Sequence, residues 1–360
     1  MTRIPLYSCI LLAMSLPAAL SAQQAERYTL DEGPAAVYNL VGNMRVEPGE
    51  GAVSVQVTRA GAEASKLTIG RGEIDGRSTL RVVYPSDRIR SGNTRDHGST
   101  QLRVRDDGTF GDQDHHHHGH GDQDGWEEGH RVSITDGGSG LDARADLVIR
   151  VPKGSEVHVY LAVGSVAVAN VDGELHVNSH SAPVTATGTR GELDVDVGSG
   201  DVRVTQAQGE LNVDTGSGAV DVTGFKGTGL SIDTGSGDVT GSDFQGDELS
   251  VDTGSGEIRL SGVSAPRVSL ETGSGRITTE LRRDVASLAV QTGSGDIAIR
   301  APATLGAEVE IETSSGDIDT DFALMVTRQS RDHMQGTIGD GKGTIAIETG
   351  SGNIKLLKSN

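Results

Sequence analysis

From Leu193 onward apolar and polar side chains alternate, and at near-constant intervals a glycine-rich tetrapeptide interrupts the alternation. A period of two belongs to a strand, whose successive side chains point to opposite faces, and not to a helix. In Leu211-Asn212-Val213-Asp214-Thr215 the apolar residues share one face, and beyond the glycines Val220 and Val222 do the same with Asp221 between them. Aligned on the tetrapeptide, the segments form columns. One runs Leu193, Leu211, Leu230, Leu249, Val268, Leu288, Val309, Ile345, and a second runs Val195, Val213, Ile232, Val251, Leu270, Val290, Ile311, Ile347. A third, beyond the corner, runs Val202, Val220, Val239, Ile258, Ile277, Ile297, Ile318, Ile354.

The tetrapeptide is Thr-Gly-Ser-Gly with small variations. Its serine falls at Ser199, Ser217, Ser236, Ser255, Ser274, Ser294, Ser315 and Ser351, with weaker echoes at Ser165 and Ser181, so the steps are 16, 18, 18, 19, 19, 19, 20, 21 and 36 residues. Such a period marks a solenoid, in which each unit buries its apolar face only against its neighbours. The expected fold is all-β, a single-stranded right-handed parallel β-helix with coils of about 19 residues and irregular N-terminal coils. The hand follows from the general preference of strand–crossover–parallel strand connections. Coils stack about 4.8 Å apart. A sharp corner needs positive φ, and a stack of corners leaves little room for a Cβ, which accounts for many of the 51 glycines.

Three regions follow. Residues 1–22, with Arg3, the apolar run Ile10 to Leu20 and the small residues Ala18, Ala19, Ser21 and Ala22, have the pattern of a secretory signal peptide. Residues 23–150 are strand-rich but less regular, in segments such as Ala52 to Val57, Leu67 to Ile69, Leu80 to Tyr84, Leu102 to Val104 and Ala145 to Ile149. They are expected to be the first coils or a cap, with a polar His-rich loop at about 88–131. Residues 151–360 are the regular β-helix, with an insertion at about 321–343 that explains the 36-residue step. Cys9, the only cysteine, lies in the signal segment, so the mature chain has no thiol for a disulfide or a metal.

No stretch after the signal segment is apolar enough for a membrane helix, and the product is expected in the periplasm or outside the cell. With 31 basic against 51 acidic residues the formal net charge is −20, which argues against nucleic acid or an anionic membrane as partner. Aromatic residues at 3% argue against sugar-stacking platforms.

Several constellations carry candidate chemistry. Val213-Asp214-Thr215-Gly216-Ser217 imitates the aspartic-protease motif, but the imitation recurs at Asp233 and Asp252 and continues as Glu271, Gln291, Glu312 and Glu348 in one column. A catalytic dyad needs two loops face to face, not a ladder. Like charges about 4.8 Å apart repel by about 0.9 kcal/mol even at the dielectric of water. A second acidic column after the corner adds Asp201, Asp238, Glu257, Asp296 and Asp317. A solvated acidic edge is the reading adopted; specific calcium sites are the lesser alternative, because the nine-residue period of calcium rolls is absent.

The sharpest chemical signal is Asp112 to Asp124, which holds His115, His116, His117, His118 and His120. Imidazole binds zinc, nickel and copper, and a dense cluster recruits several nitrogens at little geometric cost. The alternative is a solvated segment that takes such ions only adventitiously. No obligatory cofactor is expected, and no serine has a His/Asp partner at a recognisable spacing.

The residues Ile149-Arg150-Val151-Pro152-Lys153-Gly154-Ser155-Glu156-Val157, Val163-Gly164-Ser165-Val166, the run of Thr-Gly-Ser-Gly-Asp turns, and Ile338-Gly339-Asp340-Gly341 before Ile345 to Gly352 resemble the bacterial adhesin-like β-strand repeat family DUF4097, a domain of unknown function. The resemblance covers most of the mature chain. It implies a β-helical fold, an adhesin-like role and no catalytic residues, and the His-rich segment is not part of its pattern. The function expected is therefore an exported, non-enzymatic scaffold that binds a protein or glycan of the cell envelope. The alternatives are metal sequestration by the histidine segment and a β-helical carbohydrate-active enzyme, the latter disfavoured because the corners are too short to wall a groove.

Overall fold

The computed structural model describes residues 25–92, 98–111 and 129–359. Among them there is no α-helix, and the strands form a parallel β-helical solenoid closed at each end by antiparallel strands. Each regular coil is a long strand, the glycine corner, a short strand and a second turn. In one coil these strands are Gln208–Ser217 and Val220–Thr223, and the next coil pairs with them through Lys226–Ser236 and Val239–Gln245. Leu211 opposes Leu230 and Val213 opposes Ile232, so the sequence columns are true stacks. Every member of the first two columns is at most 3% exposed. Burying one such aliphatic side chain stabilises by about 2 kcal/mol. In the third column only Ile318, on the terminal coil, is half-buried.

The corner is held by two features of the tetrapeptide. A Cβ on Gly256 would lie 2.0 Å from the carbonyl oxygen of Gly237, the same position one coil earlier, and one on Gly237 would meet Gly218 at 2.0 Å. The backbones approach too closely for any other residue. The threonine, buried beneath the corner, donates its hydroxyl to the second glycine of the preceding coil: Thr253 to Gly237 at 3.3 Å, Thr272 to Gly256 at 3.2 Å, Thr292 to Gly275 at 3.1 Å. Thr215 and Thr234 share the column, yet their buried hydroxyls have no partner among the described residues.

Spatial order departs from sequence order at both ends. Gly343–Ser351 lies between Ser287–Thr292 and Ala307–Ser315, with Ile345 opposite both Leu288 and Val309. The polar contacts follow the spatial order, Thr349 donating to Gly295 and Thr313 to Gly352, each at 3.0 Å. The column Leu288, Val309, Ile345 is thus Leu288, Ile345, Val309 in space. The 36-residue step arises because the chain goes past its own last site and returns. Between them, the inserted segment forms the hairpin Leu324–Gln329 and His333–Ile338, which caps Ala307–Ser315 antiparallel. Its outer strand carries Met325 and Val326, 73% and 47% exposed.

The N-terminal end mirrors this. The longest strand, Ala35–Gly49, lies between Glu156–Ala169 on one side and, on the other, Arg77–Val83 and Arg144–Pro152, all parallel to it. Ser54–Ala60 and Thr68–Ile74 then cover that end antiparallel. Sequence reasoning had no strand at Ala35–Gly49. The stretch expected as a polar loop carries strands in its described parts, where Arg88–Arg90, Ser99–Val104 and His130–Thr135 join Leu141–Asp142 in a small second sheet.

Two pairs of substitutions test the corner. Gly256→Ala should destabilise by about 2–3 kcal/mol in urea unfolding, the range of overpacking. Gly229→Ala, where an added Cβ meets nothing within 4 Å, should change stability by less than about 0.5 kcal/mol. In the threonine column, Thr272→Val should lose about 1 kcal/mol, whereas Thr234→Val, which removes an unpartnered hydroxyl, should be neutral or stabilising. Equal effects within either pair would contradict the geometry described.

Candidate functional site

The outward side chains of the long strands form columns as regular as the inward ones. One column, followed in space, runs Tyr38, Tyr160, Asn178, Asp196, Asp214, Asp233, Asp252, Glu271, Gln291, Glu348 and Glu312. The candidate protease aspartates Asp214, Asp233 and Asp252 are therefore rungs of a ladder on successive coils, exposed and not face to face. Burial, and then the charges of Asp214 and Asp252, raise the pKa of Asp233 above the ordinary aspartate value. The repulsion of the ladder thus adds to the effect of burial at its middle rung.

The second acidic column is chemically different. Asp201 Oδ1 accepts the backbone N–H of Ala219 at 3.0 Å, Asp238 that of Glu257 at 2.8 Å, and Asp296 that of Asn353 at 3.0 Å. Here each carboxylate caps the next coil beside the corner. The N–H of Asn353, followed by Arg276 at 3.1 Å, holds the Asp296 carboxyl below its ordinary range. One acidic column is an exposed repulsive array; in the other, Asp201, Asp238 and Asp296 are part of the frame, while Glu257 pairs with Arg259 instead.

Near its N-terminal end the outer face changes character. Tyr38 and Tyr160 stack at 4.3 Å, and Phe110 meets Tyr38 edge-on at 6.0 Å, so the segment bearing Phe110 covers this part of the sheet. Beside them His158 and His176 stack at 4.3 Å. Burial lowers the pKa of His158, whose Nε2 lies 2.9 Å from Glu156. Asp194 raises that of His176, with Glu174 adding to it. The neighbours thus favour opposite charge states, a neutral ring against a protonated one.

At the C-terminal end the face closes on another cluster. His333, brought back by the cap hairpin, sets Nδ1 2.7 Å from Glu312 Oε1, and Glu310 stands beside them. Glu310 also lines a cavity of about 380 Å³ together with Glu308, Thr327, Gln335, Thr337 and Thr344. Sequence reasoning placed Glu312 in its column but missed His333 and Glu310, since nothing in the repeat marks a histidine 21 residues downstream. The metal-ligand candidates His115, His116, His117, His118 and His120 lie outside the described residues. No helix among the described residues is long and apolar enough to cross a membrane.

A family profile described as Toastrack DUF4097 matches residues 122–357. Among solved structures, the chain is similar to a "putative lipid binding protein" from Parabacteroides distasonis, at 10% identity and a TM-score of 0.42, over 94% of this chain and 96% of that one. It is similar also to a "putative adhesin" from Parabacteroides merdae, at 12% identity and a TM-score of 0.33, over 94% and 96%. A "putative cell adhesion protein" from Clostridium sporogenes aligns over 93% and 99% at 11% identity and a TM-score of 0.22. Scores this low say nothing of what the chain does. No curated protein matches it.

The acidic ladder yields a test with a definite sign. The folded state binds a proton at Asp233 more tightly than the unfolded chain does. The cost of its charge is therefore present above the carboxylate range and is lost as pH falls through the raised value. Asp233→Asn should stabilise the protein at neutral pH and low salt by about 0.5 kcal/mol. The gain should shrink in about 1 M salt, where the screening length is about 3 Å and the part due to Asp214 and Asp252 is removed, and should vanish in acid. A gain of unchanged size in both would show that the charge of Asp233 is not its cause.

Proposed function

The chain belongs to the Toastrack DUF4097 family, whose profile spans residues 122–357, and from that premise we propose that it is an exported, non-enzymatic scaffold that binds a protein or glycan of the cell envelope. One observation carries the reading. The exposed face of the long sheet presents Asp214, Asp233, Asp252, Glu271, Gln291, Glu348 and Glu312 as an in-register row, one residue per coil, on strands whose backbones are already paired on both sides. Such a row offers equivalent contacts at the spacing of the coils, about 4.8 Å. It suits an extended or repetitive partner, for which many weak contacts add up to firm attachment. The anionic row selects for donors and cations, so the partner is a hydroxyl-rich glycan or a basic protein segment and not an acidic polymer.

The corners support a binding role over a catalytic one. They are a few residues long and raise no wall along the face, whereas hydrolysis of a polysaccharide needs a carboxylate pair held across a bound bond in a shielded site. Export rests on the sequence pattern of residues 1–22. The test is retention of the purified secreted protein on an array of envelope glycans and proteins. Binding to at least one class is expected, weakened by Asp214→Asn combined with Asp252→Asn. Retention by none of them, or turnover of any arrayed polysaccharide, would overturn the proposal.

A further inference from the structure

The geometry points to a site for a divalent transition-metal ion of the zinc class, which we propose is formed by Glu310, Glu312 and His333. Ala307–Ser315 is the terminal parallel strand, and on its free side it pairs antiparallel with His333–Ile338, with His333 directly opposite Glu312. Residues two apart on a strand share a face, so Glu310 and Glu312 stand side by side. The imidazole reaches across to them, and one donor atom from each of the three residues lies within 4.8 Å of the other two. An ion about 2.1 Å from each donor would hold neighbouring donors about 3.4 Å apart. Rotation of the exposed glutamate side chains covers that difference without moving backbone.

Three features favour a cation over a plain ion pair. The first is charge. Glu308, Glu310 and Glu312 line one face of one strand, Glu348 stands opposite Glu312 on the neighbouring strand, and among the described residues Glu308 and Glu310 have no basic partner. The second is the ring itself. Nδ1, the nitrogen that faces the glutamates, lies 2.7 Å from Glu312 Oε1, while Nε2 is buried and has no hydrogen-bond partner among the described residues, so the ring presents Nδ1 to the carboxylates. The side chain is only 13% exposed, so packing fixes the ring before any ion arrives. The third is donor chemistry: two carboxylates and an imidazole suit zinc and its neighbours, whereas calcium takes oxygen donors alone. The middle coils carry Ser231, Ser250, Ser269, Ala289 and Ala346 in the column that ends in Glu310, so along that stretch no carboxylate joins the outward row, and the hairpin then adds His333 at its end. Because Glu310 also lines the 380 Å³ cavity, the ion would sit at the rim of a space open to a further ligand.

The histidine-rich segment must be silenced before this site can be read. In the full chain, His115, His116, His117, His118 and His120 are each replaced by Gln, and zinc chloride is titrated by calorimetry. One equivalent is expected to bind. Glu310→Gln, an exposed change that leaves the fold intact, and His333→Gln on the same background should each weaken binding about tenfold or more, with circular dichroism confirming the folded state. Magnesium chloride at the same concentration should produce no binding. If the background protein takes up no zinc, or if both variants bind it as the background does, the site does not exist.

Discussion

The constraint on which this structure depends is the contact between stacked corners. From Gly218 onward each second glycine of the tetrapeptide places its Cα against the carbonyl oxygen of the equivalent glycine one coil away, so that a methyl group there would sit about 2 Å from it. This close approach forces the coils into one register. A slip by a single residue would drive a side chain into a carbonyl at every corner and turn each apolar column outward. The hydroxyl of the buried threonine then closes the corner from beneath, and the capping carboxylates of Asp201, Asp238 and Asp296 close it from the side. The outward columns inherit this register whether or not it suits them. The ladder through Asp233 is such a case, since its carboxylates are kept side by side by the backbone and not by any attraction of their own.

An open solenoid end would leave a row of unpaired N–H and C=O groups and an uncovered apolar stack, which invites coil-to-coil addition by another molecule. Here both ends are closed in the same way. The first and last coils along the chain are not the outermost in space; each lies between two others, and antiparallel strands cover the coil beyond it. Peeling either coil away therefore breaks two ladders and not one. Such pairing is non-local, because Ile345 cannot take its place until Val309 and the hairpin after it have been made.

What was legible in the sequence was what the repeat enforces. Alternation revealed the inward columns, and glycine spacing revealed the corners. Ala35–Gly49 escaped because its first half does not alternate: Ala35 to Val41 are buried on both faces, the outer one beneath the segment that carries Phe110. A strand buried on both sides reads as a continuous apolar run. The signal was nonetheless present, since Val41-Gly42-Asn43-Met44 repeats the form of Val163-Gly164-Ser165-Val166 and pairs with it in register. The order of the last coils was not legible, because Val309 and Ile345 fit the same column equally well in either order. The two acidic columns looked alike in sequence, and only backbone geometry shows that Asp201, Asp238 and Asp296 of the second cap N–H groups.

The same division of labour explains where chemistry can arise on this fold. Inward positions and corners are fixed by packing, while outward positions in the middle coils have equivalent neighbours above and below and so present monotonous rows. A row offers repetition but no convergence of different groups on one point. Convergence requires the repeat to be broken, and that happens at the ends. At one, a covering segment buries Tyr38 and Tyr160 beside the stacked His158 and His176. At the other, the cap hairpin runs antiparallel and brings His333 onto the row of Glu310 and Glu312. Both clusters combine imidazole with carboxylates, but the first is built within the rows themselves, from His158, His176 and Asp194 on successive strands, whereas the second exists because the chain folds back to protect its own edge.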